Sequence, residues 1–102
     1  MNSIHRTAEF DRWLSALRDR KAQARILARI VSAQHGHFGD CKSIGEGVSE
    51  MRIDFGPGYR VYYTRQGESV YLLLAGGDKA TQANDIKRAR RMVREFKASG
   101  AR

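Results

Sequence analysis

Two runs of alternating residues, joined by Gly56-Pro57-Gly58, constrain the fold of this chain most strongly. Residues 48–55 and 59–64 alternate between apolar and polar side chains, a pattern typical of strands with one buried face. A three-residue loop pairs Phe55 with Tyr59, because this register keeps the apolar side chains of both runs together. The opposite face then carries the polar side chains, which are Glu50, Arg52, Asp54, Arg60, Tyr62 and Thr64. We therefore expect a β-hairpin with one core face and one polar face that can do chemistry.

The charge of the chain points to polyanions as partners. Among 102 residues, 19 Lys and Arg stand against 11 Asp and Glu, for a net charge of +8. Small domains this basic commonly meet nucleic acid, a ribosome or an acidic protein, and the alternative is that the charge only aids solubility. Lone Cys41 allows no internal disulfide, and no apolar run approaches the length of a membrane span. We expect one domain over residues 1–102, located in the cytoplasm without a membrane partner.

A glycine-rich stretch over residues 35–47 contains His35, His37, Asp40 and Cys41. Structural zinc sites use four ligands at defined spacings, and no second cluster of histidine or cysteine accompanies these residues. We therefore expect neither a metal nor another cofactor. The stretch is interpreted as a loop leading into a short edge strand near residues 41–44, with Lys42 facing the polar side of the hairpin.

Two helices precede the hairpin. Thr7 is a candidate N-cap, and the spacing of the apolar residues that follow it predicts one buried stripe, formed by Phe10, Trp13, Leu14 and Leu17. Asp19 caps a second helix over residues 20–35. Its predicted apolar face consists of Ala22, Ile26, Leu27, Ile30 and Val31. Residues 4–7 could form an additional short strand.

The last third of the chain predicts a buried strand and a basic helix. Residues 69–75 are apolar on both faces, which indicates a central strand, and Lys79 follows its end. A helix over residues 81–96 directs four apolar side chains inward, namely Ile86, Ala89, Val93 and Phe96. Its outward residues are Lys87, Arg88, Arg90, Arg91, Arg94 and Lys97. This basic surface is either a solvated face or a binding face for RNA, DNA or an acidic protein segment. If the partner is RNA, the candidate contacts are Arg88 and Arg91 together with Lys42.

These elements predict an α+β domain: a small twisted antiparallel sheet, two N-terminal helices packed against one face, and a C-terminal basic helix. The polar face of the hairpin supplies the candidate catalytic residues, which are Arg52, Arg60, Tyr62 and nearby Lys79. Guanidinium and ammonium groups suit the charge on a phosphate during RNA cleavage by the 2′-hydroxyl. The alternative is that Arg52 pairs with Glu50 or Asp54, and Arg60 with Asp54, as ordinary surface ion pairs.

Several motifs together resemble the RelE/ParE toxin superfamily, and most closely its HigB-like addiction module killer proteins. They are Phe38-Gly-Asp40, Gly45-Glu-Gly-Val-Ser-Glu-Met-Arg52, Ile53-Asp-Phe-Gly-Pro-Gly-Tyr-Arg60, Tyr62, Leu72-Leu-Leu-Ala-Gly-Gly-Asp-Lys79, Gln82 and Asp85-Ile86. The resemblance covers nearly the whole chain. It implies a toxin of a type II toxin–antitoxin module that binds a cognate antitoxin, expected to have a helix-turn-helix, and that meets operator DNA only through this antitoxin.

The resemblance also implies an activity. RelE-type relatives enter the ribosome and cut mRNA, whereas ParE-type relatives inhibit DNA gyrase without chemistry, so both functions stay open. By the resemblance, Arg60 corresponds to a phosphate-contacting arginine, and Lys79 lies near a second basic catalytic position. The sequence departs from RelE where a functional tyrosine is expected, near Asp85, and from HigB-type enzymes because no histidine follows His37. The resemblance therefore assigns no general acid and no general base.

Overall fold

A computed structural model describes residues 1–100 as one five-stranded sheet with three α-helices. The helices are α1 (Ala8–Ala16), α2 (Arg20–Gln34) and α3 (Gln82–Ala98). The strands are β1 (Ser3–Arg6), β2 (Cys41–Gly45), β3 (Val48–Ile53), β4 (Tyr59–Gly67) and β5 (Val70–Asp78). A single 3-10 turn, Lys79–Thr81, connects β5 to α3. The predicted α+β class is confirmed.

The sheet has the strand order β1-β5-β4-β3-β2. Strands β2 to β5 are antiparallel to their neighbours, as predicted, but β1 pairs with β5 in the parallel direction. A long connection through α1, α2 and the other strands separates β1 from β5, so no tight turn fixes their relative direction. Strand β5 has a neighbour on both sides, which agrees with its apolar sequence.

The hairpin of β3 and β4 keeps the predicted faces but not the predicted register. Ile53 lies opposite Tyr59, so residues 54–58 form the loop, and the prediction of a three-residue loop was wrong. Phe55 leaves the ladder and packs against α2, where the Arg25 guanidinium lies 4.7 Å from the centre of its ring. A shift of two residues leaves every side chain on its original face, because the side-chain period of a strand is two.

Helices α1 and α2 cover the apolar face of the sheet. The buried side chains there include Phe10 and Leu14 of α1, and Met51, Ile53, Tyr59, Val61, Tyr63 and Leu73 of the sheet. The buried stripe of α2 consists of Ala22, Ile26, Ile30 and Ala33. Leu27 and Val31, which were predicted to be buried, are 41% and 51% exposed. Residues at both edges of a helical stripe fit the same periodicity, and the packing angle on the sheet decides which edge is covered.

Helix α3 packs on the opposite face of the sheet, so the helices form two layers. Ala89 and Val93 of α3 form a second buried cluster with Val48 and Tyr62 of the hairpin. Helix α3 therefore covers the part of the polar face that holds Tyr62 and Glu50. Tyr62 and Glu50 are 0% and 1% exposed beneath α3.

Two glycines of β5 allow the helices to approach the sheet closely. A Cβ atom at Gly76 would overlap the ring of Trp13 from α1, and one at Gly77 would overlap the Asp85 carboxylate from α3. The consecutive glycines therefore provide space on opposite faces of the same strand. This packing places the first turn of α3 beside the loop end of the hairpin.

Within residues 1–100, no helix has the length and apolar character that crossing a membrane requires. The same residues contain no group of three or more His, Cys, Asp or Glu side chains arranged to hold a metal ion.

Candidate functional site

Arg52 and Arg60 lie directly opposite each other in the β3–β4 ladder. Like charges at opposite positions of a ladder repel and reduce its stability. The Arg60–Asp54 ion pair considered above does not form across the ladder, because the register places Arg52 there instead. The two guanidinium groups concentrate positive charge at the loop end of the polar face, and their neighbours decide how much of it is neutralised.

Asp40 neutralises part of the Arg52 charge from the edge of the sheet. Nη2 of Arg52 lies 3.0 Å from Oδ1 of Asp40, and the two side chains are 36% and 61% exposed. The backbone amide of Arg52 also donates to the carbonyl of Asp40. An ion pair this exposed contributes about 1 kcal/mol or less, so Arg52 remains able to exchange Asp40 for another anion.

Arg29 of α2 fixes the segment that carries Asp40. Its guanidinium donates to three carbonyl oxygens, at 2.6 Å to Arg52, 2.9 Å to Phe38 and 3.2 Å to Asp40. Arg29 thus connects α2 to the loop before β2 and to the strand β3. Arg29 therefore positions the Asp40–Arg52 pair from the opposite side of the sheet edge.

Arg60 is more enclosed than Arg52. Its side chain is 13% exposed, and the nearest carboxylate oxygen, Oε2 of Glu50, lies 3.9 Å from its Nε. Nη1 makes a long contact of 3.4 Å with the carbonyl of Tyr59. The buried Nε has no hydrogen-bond partner among the residues that the structure describes. Arg60 is thus held by electrostatic attraction and packing rather than by a closed set of hydrogen bonds.

Lys79 lies beside Arg60. The position that a Cβ atom at Gly58 would occupy is 3.5 Å from Cβ of Lys79 and 3.7 Å from Nη1 of Arg60. Lys79 begins the 3-10 turn, which Asp78 caps by accepting hydrogen bonds from the amides of Ala80 and Thr81. The capped turn holds the backbone of Lys79 next to the hairpin loop, while its side chain is exposed.

A buried carboxylate lies beneath these cations. Oε2 of Glu50 accepts a hydrogen bond of 3.2 Å from the Tyr62 hydroxyl and one of 2.7 Å from Nε2 of Gln82, the first residue of α3. Burial, and then the charge of Glu50, raise the pKa of Tyr62 above its ordinary value. Tyr62 therefore keeps its proton at neutral pH and lies in the interior, where it supports Glu50.

Arg88 is engaged within the protein. Its guanidinium lies 2.9 Å from Oε2 of Glu9 on α1 and 3.0 Å from Oδ1 of Asp85 on its own helix. The Thr81 hydroxyl donates to the other carboxylate oxygen of Asp85 at 2.5 Å. These contacts connect the start of α3 to α1, and they correct the expectation that Arg88 simply faces outward. Arg90 is also engaged, because it donates to the Ile44 carbonyl.

Lys42 and Arg91 are exposed, as expected of residues that could contact RNA. Lys42 lies opposite Glu50 in the β2–β3 ladder, so it belongs to the face of the hairpin that carries Arg60. Arg91 is more than two helical turns along α3 from Gln82. The structure thus brings Arg52, Arg60 and Lys79 together, keeps Lys42 on the same face, and leaves Arg91 outside this cationic cluster.

The cationic cluster, defined here as Arg52, Arg60 and Lys79, suits a phosphate. A guanidinium can donate two parallel hydrogen bonds to phosphate oxygens, and an ammonium group adds a mobile positive charge. The cluster can therefore bind an anion and stabilise negative charge that develops on it. His35 and His37 lie in the exposed loop after α2, outside the cluster.

Sequence reasoning missed four residues that organise the cluster, namely Arg29, Asp40, Glu50 and Gln82. Asp40 and Glu50 belong to the motifs that carry the resemblance, but the only roles considered for them were a metal ligand for Asp40 and a surface partner of Arg52 for Glu50. The sequence does show an acidic residue, Glu50, within the polar face of the hairpin. Its burial was not predictable, because it depends on α3, which is distant in sequence. Gln82 also belongs to those motifs, but nothing in the pattern around it predicts a contact with Glu50.

Fold and site together define a class of small basic α+β proteins. In this protein, the β3–β4 hairpin and the first turn of α3 place a cationic cluster above a buried carboxylate.

The model of one protein family, described as "Phage derived protein Gp49-like (DUF891)", matches residues 12–97. The chain therefore belongs to this family. The matched residues include the cationic cluster and all four residues that organise it. A protein of Haemophilus influenzae, described as an uncharacterized protein, is 50% identical over 93 residues, which are 91% of this chain and 94% of that protein.

Proposed function

We propose that this protein is the toxin of a type II toxin–antitoxin module, of the HigB-like branch of the RelE/ParE superfamily. Its activity is ribosome-dependent cleavage of mRNA in the cytoplasm, which arrests translation. The observation that carries this proposal is the opposition of Arg52 and Arg60 across the ladder, with Lys79 beside Arg60. Two guanidinium groups that repel each other at one place attract an anion, and an anion bound between them relieves their repulsion.

The proposed cleavage uses the 2′-hydroxyl of the RNA itself as the nucleophile. This hydroxyl loses its proton to water, and its oxygen attacks the adjacent phosphorus to form a 2′,3′-cyclic phosphate. The bond from phosphorus to the 5′-oxygen breaks, and that oxygen takes up a proton from water. Arg60 and Lys79 bind the phosphate and stabilise its added negative charge, while Arg52 contacts the neighbouring backbone.

The remaining predicted residues take supporting parts. Tyr62 acts through Glu50 from the interior and does not touch RNA. Lys42 and Arg91 add exposed positive charge outside the cationic cluster, with which they meet ribosomal or messenger RNA. Arg88 is neutralised by Glu9 and Asp85, and it holds α3 against α1 instead of binding RNA.

The partners follow from the same proposal. A cognate antitoxin with a helix-turn-helix binds the toxin and neutralises it, and contact with operator DNA occurs only through that antitoxin. Acidic segments of an antitoxin complement a toxin whose net charge is +8.

The test is the brief induction of the wild-type protein and of Arg60→Ala in bacterial cells. Wild type is expected to stop translation promptly and to leave cut mRNA. Arg60→Ala is expected to lose cleavage by about 100-fold or more, because a donor to the charged transition state is removed. Mapping of RNA 5′ ends, together with circular dichroism of the purified variant, measures cleavage and folding separately.

Arg65→Ala is the matched control, because Arg65 lies on the same strand but at its far end, where its guanidinium donates to the Gly67 and Glu68 carbonyls. This variant is expected to stay toxic. A well-folded Arg60→Ala that arrests growth as wild type does contradicts the proposal. Filamentation and a DNA damage response with intact mRNA indicate inhibition of DNA gyrase instead.

A further inference from the structure

We propose that Glu50 is a positioning residue, which orients Arg60 toward the phosphate from below the cationic cluster. The orientation of Arg60 is a property of the free protein, while its effect on RNA cleavage rests on the function proposed above. Glu50 does not touch the substrate in this proposal. It acts through Arg60 alone, and Tyr62 and Gln82 hold it in place.

The burial of Glu50 is the first argument. Its side chain is 1% exposed, and a charged carboxylate in the interior is costly unless donors and opposite charge surround it. Tyr62 and Gln82 each donate to the same oxygen, which leaves that oxygen with two donors on fixed elements, β4 and α3. The carboxylate is therefore held at one position in the fold.

The geometry around Arg60 is the second argument. Glu50 carries the only carboxylate within 4.0 Å of the Arg60 guanidinium among residues 1–100. The attraction is directed at Nε, which lies at the base of the guanidinium, while Nη1 points past Tyr59 toward Gly58 and Lys79. A partner at the base leaves the terminal nitrogens available for a phosphate.

The charges that face Arg60 are the third argument. Arg52 lies opposite it on β3, and Lys79 approaches from the turn before α3. Both cations repel Arg60, and Glu50 provides the opposing attraction. Without the negative charge at Glu50, we expect the guanidinium of Arg60 to move away from its neighbours into solvent and to lose its fixed orientation.

The experiment compares Glu50→Gln with wild type. Glutamine has nearly the same shape and can still accept from Tyr62 or Gln82, so the substitution removes the charge while it preserves the packing. The orientation of Arg60 is measured in the free protein by heteronuclear relaxation of its Nε–Hε group. We expect this group to be ordered in wild type and mobile in Glu50→Gln.

Cleavage of ribosome-bound mRNA and binding of a single-stranded RNA oligonucleotide are measured with the same proteins. We expect cleavage by Glu50→Gln to fall by about tenfold or more, because the phosphate contact is misplaced. Binding is expected to be unchanged or tighter, since the variant carries one negative charge fewer. A variant with a merely damaged structure would lose both cleavage and RNA binding. Reduced cleavage with unchanged binding therefore identifies a positioning role.

Glu46→Gln is the matched control. Glu46 pairs with Arg94 at 2.7 Å on the exposed surface, in the turn between β2 and β3, at the end of β3 that lies away from the hairpin loop. We expect this variant to change the relaxation of Arg94 while Arg60 and cleavage stay as in wild type.

Two results overturn the proposal: Arg60 as ordered in Glu50→Gln as in wild type, or cleavage by this variant at the wild-type rate. If Glu50→Gln does not fold, Tyr62→Phe and Gln82→Leu each remove one donor to Glu50, and each must increase the mobility of Arg60. If wild type cuts no mRNA, the proposed function fails, and the relaxation of Arg60 still decides whether Glu50 positions it.

Discussion

At the scale of single residues, the interior of the polar face is organised around the neutral Tyr62 and the acidic Glu50. Tyr62 is fully buried and donates to Glu50, so a charge on its own oxygen would lie against a carboxylate. Burial and the neighbouring charge both favour the protonated hydroxyl. The adjacent Tyr63 also has a raised pKa, first because of burial and then because of its contact with Cys41. Proton binding at these tyrosines therefore becomes a source of stability.

The first prediction concerns alkaline pH. The raised pKa of Tyr62 means that the folded state keeps a proton which the unfolded chain loses near pH 10, so the free energy of unfolding falls as the pH rises above about 10. Below that pH, the contribution is fully present. Tyr62→Phe is expected to make this fall less steep by up to about 1.4 kcal/mol per pH unit. Urea unfolding between neutral and alkaline pH measures the slope, and equal slopes for both proteins would refute the prediction.

At the scale of secondary structure elements, β5 determines how the two helical layers meet the sheet. Its paired glycines admit Trp13 from α1 on one face and Asp85 from α3 on the other. Asp85 then binds Arg88, which binds Glu9 of α1, so the two layers are also connected around the end of the strand. The position of the first turn of α3, which carries Gln82 and follows Lys79, depends on this packing.

The second prediction is that added methyl groups on β5 disturb this packing. Gly77→Ala and Gly76→Ala are each expected to reduce the free energy of unfolding by about 1–3 kcal/mol, because the side chains they meet are themselves held in place. Gly67→Ala is the control, since its Cβ would lie 3.6 Å from Cβ of Val70 in ordinary contact. We expect the control to change stability by less than about 0.5 kcal/mol. Denaturant midpoints compare the three variants, and equal midpoints for Gly77→Ala and Gly67→Ala would contradict the packing argument.

At the scale of the whole molecule, the net charge of +8 is distributed unevenly. Some cations are neutralised internally: Arg88 by Glu9 and Asp85, and Arg94 by Glu46. The Glu46 carboxylate has a lowered pKa because Arg94 donates to it. Within residues 1–100, Arg52 and Arg60 of the cationic cluster also have carboxylate neighbours, whereas Lys79 forms no ion pair. If the protein binds RNA as proposed, we expect local pairing as well as total charge to set the contribution of each cation.

The third prediction separates free from neutralised cations by salt dependence. Binding of single-stranded RNA is expected to weaken with salt, and Lys79→Gln should reduce the slope of log affinity against log salt by about 0.7, the value for one phosphate contact. Arg88→Gln should leave the slope nearly unchanged, because its charge is already compensated. Fluorescence anisotropy titrations at several salt concentrations measure both slopes, after circular dichroism has verified that each variant is folded. A loss of slope in Arg88→Gln equal to that in Lys79→Gln would show that the ion pairs do not neutralise Arg88.

Local patterns in the sequence determined the elements of this protein and the faces of its hairpin. The alternation in residues 48–64 survives the change of register, because a shift of two residues preserves the face of every side chain. Capping at Thr7 and Asp19 and the apolar periodicity of the helices likewise act over a few residues. Arg52, Arg60 and Lys79 could therefore be selected as candidates, and the structure does bring them together.

Only the tertiary structure decided which of the polar residues are exposed, buried or neutralised. The five-residue loop forms because Phe55 packs on α2, and Glu50 becomes the buried support of Arg60 because α3 covers it. The pairing of Arg88 with Glu9 joins residues that are far apart in the chain. No periodicity encodes such contacts, because burial and charge compensation depend on distances between elements, and these distances exist only after the sheet and its two helical layers have assembled.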